Sequence, residues 1–102
     1  MRLEGKVAIV TGAGSGFGEG IAKLYASEGA KIVVNDVNEA GGTRVAAEID
    51  KEHGQGTAIF VKADVSSDGD VKAMVEKAVA TYGRLDIMVN NAGFTHRNGS
   101  LL

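Results

Sequence analysis

Residues 11–18 read Thr-Gly-Ala-Gly-Ser-Gly-Phe-Gly, a glycine-dense stretch between an apolar run and an amphipathic one. It constrains the fold more than any other feature. Glycine loses the most backbone freedom when held in a strand or helix, so this density marks a place where the chain turns. Before it, Lys6 to Thr11 is almost continuously apolar, as suits a strand buried on both faces of a parallel sheet. After it, Phe17, Ile21, Leu24 and Tyr25 recur at helical spacing through Glu28, and Gly29 stands where a left-handed cap would close the helix.

The same alternation continues. Lys31 to Asn35 is a second apolar run, and Asn38 can cap a helix from Glu39 to His53 closed by Gly54, with Gly41 and Gly42 weakening its first turn. Thr57 to Lys62 makes a third strand. Ser67 can cap a helix with the stripe Val71, Met74, Val75, Ala78, Val79 and Tyr82, ended by Gly83. Asp86 to Asn90 makes a fourth strand, and Asn91 to Leu102 shows no sustained period. Right-handed crossovers turn this pattern into an α/β fold, a doubly wound parallel sheet of order 3-2-1-4 with helices on both faces. At 102 residues without proline, repeats or a linker, the chain reads as a single domain, residues 1–102.

Composition narrows the function. A formal net charge of −2 and the lack of a basic stretch argue against a nucleic-acid partner, and the apolar run Val7 to Val10 is too short for a signal peptide or a membrane span. With no cysteine there is no disulfide framework or thiolate metal site, which fits a reducing, cytoplasmic setting. His53 and His96 lack partners at metal spacing and read as surface residues. Asn98-Gly99-Ser100 matches a glycosylation triplet without secretory context.

A glycine turn from strand tip to helix start presents unpaired N–H groups and the positive end of the helix dipole, where linked phosphates are held. Tight packing alone is the competing explanation. The dinucleotide pattern G-x-G-x-x-G fails here, because Phe17 occupies the third glycine's place. The Walker pattern also fails, since Gly5-Lys6 precedes the first strand.

What does fit is T-G-x-x-x-G-x-G, met in register by Thr11, Gly12, Gly16 and Gly18, together with N-N-A-G at Asn90-Asn91-Ala92-Gly93 after the fourth strand. With these two motifs in this order, the chain resembles the dinucleotide-binding front half of the short-chain dehydrogenase/reductase family from Lys6 to Gly93. The resemblance implies that Gly12, Ser15, Gly16, Phe17 and Gly18 surround a pyrophosphate. Asn91, Ala92 and Gly93 would lie beside the ribose and nicotinamide half, and Thr11 and Asn90 would tie two strand ends together. Asp64 and Val65 match the family's adenine-binding pair.

Asp36 closes the second strand about twenty residues after the loop, where a carboxylate can accept from both hydroxyls of the adenosine ribose. Neither Ser15 nor Val37 is basic, so NAD is expected over NADP. The family's proton donor is a tyrosine four residues before a lysine. Here the only tyrosines, Tyr25 and Tyr82, are followed four residues on by Gly29 and Asp86, and both sit on apolar stripes. No catalytic residue is assigned; Ser100 falls too early to be the family's serine. The expectation is that the chain ends before the catalytic half, leaving its fourth strand as an open edge prone to association. The parent would be a homo-oligomeric oxidoreductase acting on a carbonyl or secondary alcohol such as a 3-oxoacyl thioester, sugar or steroid. A non-catalytic nucleotide-binding module and an S-adenosylmethionine methyltransferase are the alternatives.

Overall fold

The computed structural model of the chain describes residues 2–91. Strand β1, Val7–Val10, is followed by helix α1, Gly16–Ser27, then β2, Lys31–Asp36, and α2, Glu39–His53. The chain continues through β3, Ala58–Lys62, α3, Asp68–Tyr82, and β4, Ile87–Val89. The four strands form one parallel sheet in the order β3-β2-β1-β4, as the strand and helix alternation predicts. β1 and β4 are each a residue shorter at both ends than their apolar runs. The carboxylate of Asp86, held by the Arg84 guanidinium at 2.7 Å, accepts from Val7 N at 2.9 Å before β4 begins.

Successive side chains of a strand point to opposite faces. Ala8 and Val10 of β1 with Ile32 and Val34 of β2 therefore face one way, into a core closed by Ala22 and Ala26 of α1 and by Val45 and Ile49 of α2. Ile9 and Val33 face the other way, against Met74 and Ala78 of α3. β1 and the inner part of β2 are buried on both sides, which is why they read as unbroken apolar runs.

α1 departs from the expected stripe. Its buried positions are Gly18, Ala22 and Ala26, with Ile21 and Tyr25 partly buried, whereas Phe17 is 83% and Leu24 57% exposed. The smallest side chains, at i, i+4 and i+8, are the ones that let this helix lie close to the strands. The bulky residues that carry the periodic signal fall to the flanks or into solvent. In α3, Met74 and Ala78 are buried and Val75 and Tyr82 partly so, but Val79 is exposed. Gly41 and Gly42, which weaken α2 by propensity, are required by packing: a Cβ on Gly42 would overlap the Phe60 ring, and one on Gly41 would lie 2.8 Å from the Gly14 carbonyl oxygen. Asn38 and Ser67 cap α2 and α3 as their positions predict, accepting from Gly41 N at 3.0 Å and Asp70 N at 3.2 Å.

Candidate functional site

At the carboxyl ends of β1, β2 and β3 the chain opens a crevice of about 240 Å³. Gly12 from the first turn, Asp36 and Val37 from the tip of β2, and Asp64 and Val65 from the turn after β3 line it. Five of the residues singled out by sequence therefore meet at one rim, the rim where a doubly wound sheet receives its ligands.

The glycine turn is held from three sides. Ala13 N donates to the Asn35 carbonyl at 2.8 Å, Gly14 N donates to Asp36 Oδ2 at 2.9 Å, and the Arg44 guanidinium donates to the Gly14 carbonyl at 3.3 Å. Gly12 and Gly16 turn at φ of 62° and 61°, where an L side chain is strained. A Cβ on Gly14 would stand 2.8 Å from Asp36 Oδ2 and 3.1 Å from Gly42 N, and one on Gly18 would fall on the Gly12 carbonyl. These glycines serve close approach within the fold. Gly16 has nothing within 4 Å of its Cβ direction, so the turn's outer side is open.

α1 starts from this turn without the help its neighbours receive. Ser15 occupies the N-cap but makes no capping bond, and its side chain is exposed. The N–H groups of Ser15, Gly16, Phe17 and Gly18 have no hydrogen-bond partner among the described residues. Four unmet donors with the positive end of a twelve-residue helix behind them form a cradle for an anion. Phe17 contributes to it through its N–H, its ring being in solvent.

Asp36 faces the same space. Its two oxygens accept from Gly14 N and Asn38 N, each at 2.9 Å, leaving further lone pairs for other donors. Asp64 accepts at 2.6 Å from the Ser66 hydroxyl, which holds its carboxyl below the usual carboxylate range. On the other side, Thr11 is buried, its N–H and hydroxyl both donating to the Val89 carbonyl, and its Oγ1 accepts from Asn91 N at 2.8 Å. Asn91 Nδ2 also donates to the Gly12 carbonyl at 3.3 Å. Among the described residues the tie between the strand ends thus runs from Thr11 to Val89 and Asn91 rather than to the expected Asn90. Backbone groups alternate sides along a strand, so Val89 O and Asn91 N reach β1 while those of the residue between them turn to the opposite edge. Ala92, Gly93, His96 and Ser100 lie outside the described residues.

Asn35 and Arg44, like Ala63 and Ser66 in the crevice lining, escaped the sequence reading. Asn35, 1% exposed, sits under the crevice. Its one signal was an amide ending a run of aliphatic residues. Arg44 carried no signal, being one charge on the polar side of α2. It joins Lys23, Glu19 and Glu48 in an ion network between α1 and α2, with nitrogen to oxygen distances of 2.6 to 3.1 Å.

The hydrogen bonds from Arg44 and then Lys23 pull the Glu19 carboxyl from 4.5 down to about 2. A carboxyl depressed by folding stabilises the fold above its unfolded value and loses that contribution as pH falls through the folded one. Stability is therefore expected to drop between about pH 4.5 and pH 2, and Glu19→Gln should flatten that part of the curve. Urea unfolding midpoints at stepped pH check this; parallel curves for the two proteins would contradict it.

Neither tyrosine is placed for proton transfer at the crevice. Tyr25 packs against the α1 and α2 side of the core, while Tyr82 donates to the Gly56 carbonyl at 2.8 Å. Burial, with the nearby Asp50 charge, pushes the Tyr82 hydroxyl up to about 12, away from the working range of an acid at neutral pH. His53 is exposed, and no group of three His, Cys, Asp or Glu among the described residues could hold a metal.

Known proteins resemble this chain in sequence and fold. The chain is 49% identical over 92 residues to short chain aldehyde dehydrogenase 1 of Euphorbia lathyris, an overlap covering 90% of this chain and 31% of that protein. The crystal structure of 3-ketoacyl-(acyl-carrier-protein) reductase from Brucella melitensis, complexed with NADH, superposes with a TM-score of 0.83 at 55% identity over 93% of this chain and 37% of that one. Hydroxysteroid dehydrogenase from Escherichia coli superposes with a TM-score of 0.84 at 41% identity over 90% of this chain and 38% of that one. The chain thus spans about a third of the length of the curated relatives it matches. The sequence profile described as short chain dehydrogenase matches residues 6–101, nearly the whole sequence, and the chain belongs to that family.

Proposed function

We propose that this chain binds a nicotinamide dinucleotide, NAD in preference to NADP, as the cofactor part of an oxidoreductase that moves hydride between the nicotinamide and a carbonyl or secondary alcohol. The observation that carries the reading is the uncapped start of α1 opening beside Asp36: four N–H groups within one turn without a partner among the described residues, next to a carboxylate with acceptor capacity left. A pyrophosphate joined to a ribose needs that pair of features. The solved relative with NADH bound and the dehydrogenase relatives support the same chemistry.

Gly12, Ser15, Gly16, Phe17 and Gly18 would hold the pyrophosphate. Asp36 would accept from the adenosine ribose hydroxyls with Val37 beside it, Asp64 and Val65 would flank the adenine, and Asn91, Ala92 and Gly93 would lie toward the nicotinamide half. When bound, the nicotinamide ring is the hydride donor or acceptor; the residues of this chain would position it and donate hydrogen bonds to its phosphates. The preference for NAD follows from charge. A 2′-phosphate about 4 Å from Asp36 would meet a repulsion of order 4 kcal/mol at a surface-like dielectric, before solvent screening, and neither Ser15 nor Val37 offsets it. Titrating the chain with NADH and following nicotinamide fluorescence is expected to give saturable binding, weaker for NADPH. Absence of saturation with either would overturn the proposal.

A further inference from the structure

Asn35 makes contacts to both the glycine turn and the segment that leaves β3. Its carbonyl accepts from Ala13 N at 2.8 Å, which anchors the start of the glycine turn. Its side-chain nitrogen donates to the Val61 and Ala63 carbonyls, each at 3.1 Å. The regular pairing of β2 with β3 stops at Asp36 and Lys62, so the bond to Ala63 extends the strand contact one residue further, to the residue directly before Asp64 and Val65.

An amide at this depth is costly in a strand otherwise made of Ile32, Val33 and Val34 unless both of its N–H groups are satisfied. Leucine has nearly the same shape and would pack in the same core. What leucine cannot do is hold the chain leaving β3. The Ala63 carbonyl would lose its donor, and the turn carrying two walls of the crevice would lose its tether to β2.

We infer that Asn35 is a positioning residue that sets the turn at Asp64 and Val65 against the adenine and registers it to the glycine turn, so that recognition of the base depends on this buried amide. The inference rests on the dinucleotide reading of the crevice. The side-chain nitrogen of Asn35 is taken up by the Val61 and Ala63 carbonyls, so it acts through Ala63. Its loss therefore affects how well the adenine edge is read as well as how tightly the dinucleotide is held.

The test compares NADH with its hypoxanthine analogue, in which a carbonyl oxygen replaces the exocyclic amine of the adenine, so that an acceptor stands where the donor was. Wild type is expected to prefer NADH. Asn35→Leu is expected to bind NADH about tenfold more weakly and to lose most of that preference, the ratio of the two dissociation constants moving toward one. Asn35→Thr keeps a donor and suits a strand, so it should fall between the two and keeps the experiment readable where the leucine variant does not fold. Equal weakening of both dinucleotides, with the ratio kept, would make Asn35 a purely structural residue and overturn the inference. A wild-type chain that binds both equally would overturn it as well, and a wild-type chain that binds neither would overturn the dinucleotide reading beneath it.

Discussion

Gly18→Ala is expected to lower the stability of the chain by about 3 kcal/mol and its affinity for NADH by about 100-fold. The added methyl would fall on the Gly12 carbonyl, with its carbon at 2.7 Å and Ala13 Cα at 2.9 Å. All three atoms are backbone, and the segment they belong to is fixed by Ala13 N on Asn35 and by Asn91 on the Gly12 carbonyl, so it has little room to yield. Relief requires α1 to move outward, and that movement carries the donors of residues 15–18 out of register with a pyrophosphate. Gly20→Ala is the control. Gly20 lies in the same helix with nothing within 4 Å of its Cβ direction, so alanine there should stabilise by roughly 0.5–1 kcal/mol through propensity alone. Urea unfolding midpoints and NADH titrations of both variants make the comparison. Equal stability for the two would show that α1 does not depend on close approach at Gly18.

Asp36→Asn should shift the relative affinity for NADPH over NADH by about 100-fold, a little under 3 kcal/mol. The change removes the charge that would repel a 2′-phosphate and keeps an oxygen to accept from Gly14 N, so the glycine turn stays anchored. NADH itself should weaken, because a neutral amide is a poorer acceptor for ribose hydroxyls than a carboxylate. Asp36→Ala adds a second effect by freeing the N–H groups of Gly14 and Asn38, and it should reduce affinity for both dinucleotides while moving the ratio in the same direction. Competition titrations at fixed ionic strength measure the ratio. A ratio that stays put in both variants would remove Asp36 from cofactor selection.

The strand and helix order, the sheet topology, two of the three caps and the position of the glycine turn were legible because each is a local or periodic property. A buried parallel strand must be apolar on both faces, a glycine run must turn, and Asn38 and Ser67 satisfy donors three residues away. Asp36, Asp64 and Val65 were legible as a group because parallel strands entering one sheet deliver their ends to one rim. The inner face of α1 was misread for a physical reason: periodicity weights bulky side chains, while the closest packing against the strands chose Gly18, Ala22 and Ala26 and left Phe17 and Leu24 outside.

By itself the sequence determined the architecture and the family of this chain, since alternating apolar runs and a glycine turn at a strand tip admit one winding of the sheet and few ligands. Only the tertiary structure decided which groups hold that turn in place. Arg44 on the Gly14 carbonyl, Asn91 on the Gly12 carbonyl, and Asn35 between Ala13 and Ala63 join residues 22 to 79 positions apart or more than a strand away, and no local pattern encodes such pairs. Their partners are chosen by where the folded strands end, which becomes defined when the sheet has closed around its core.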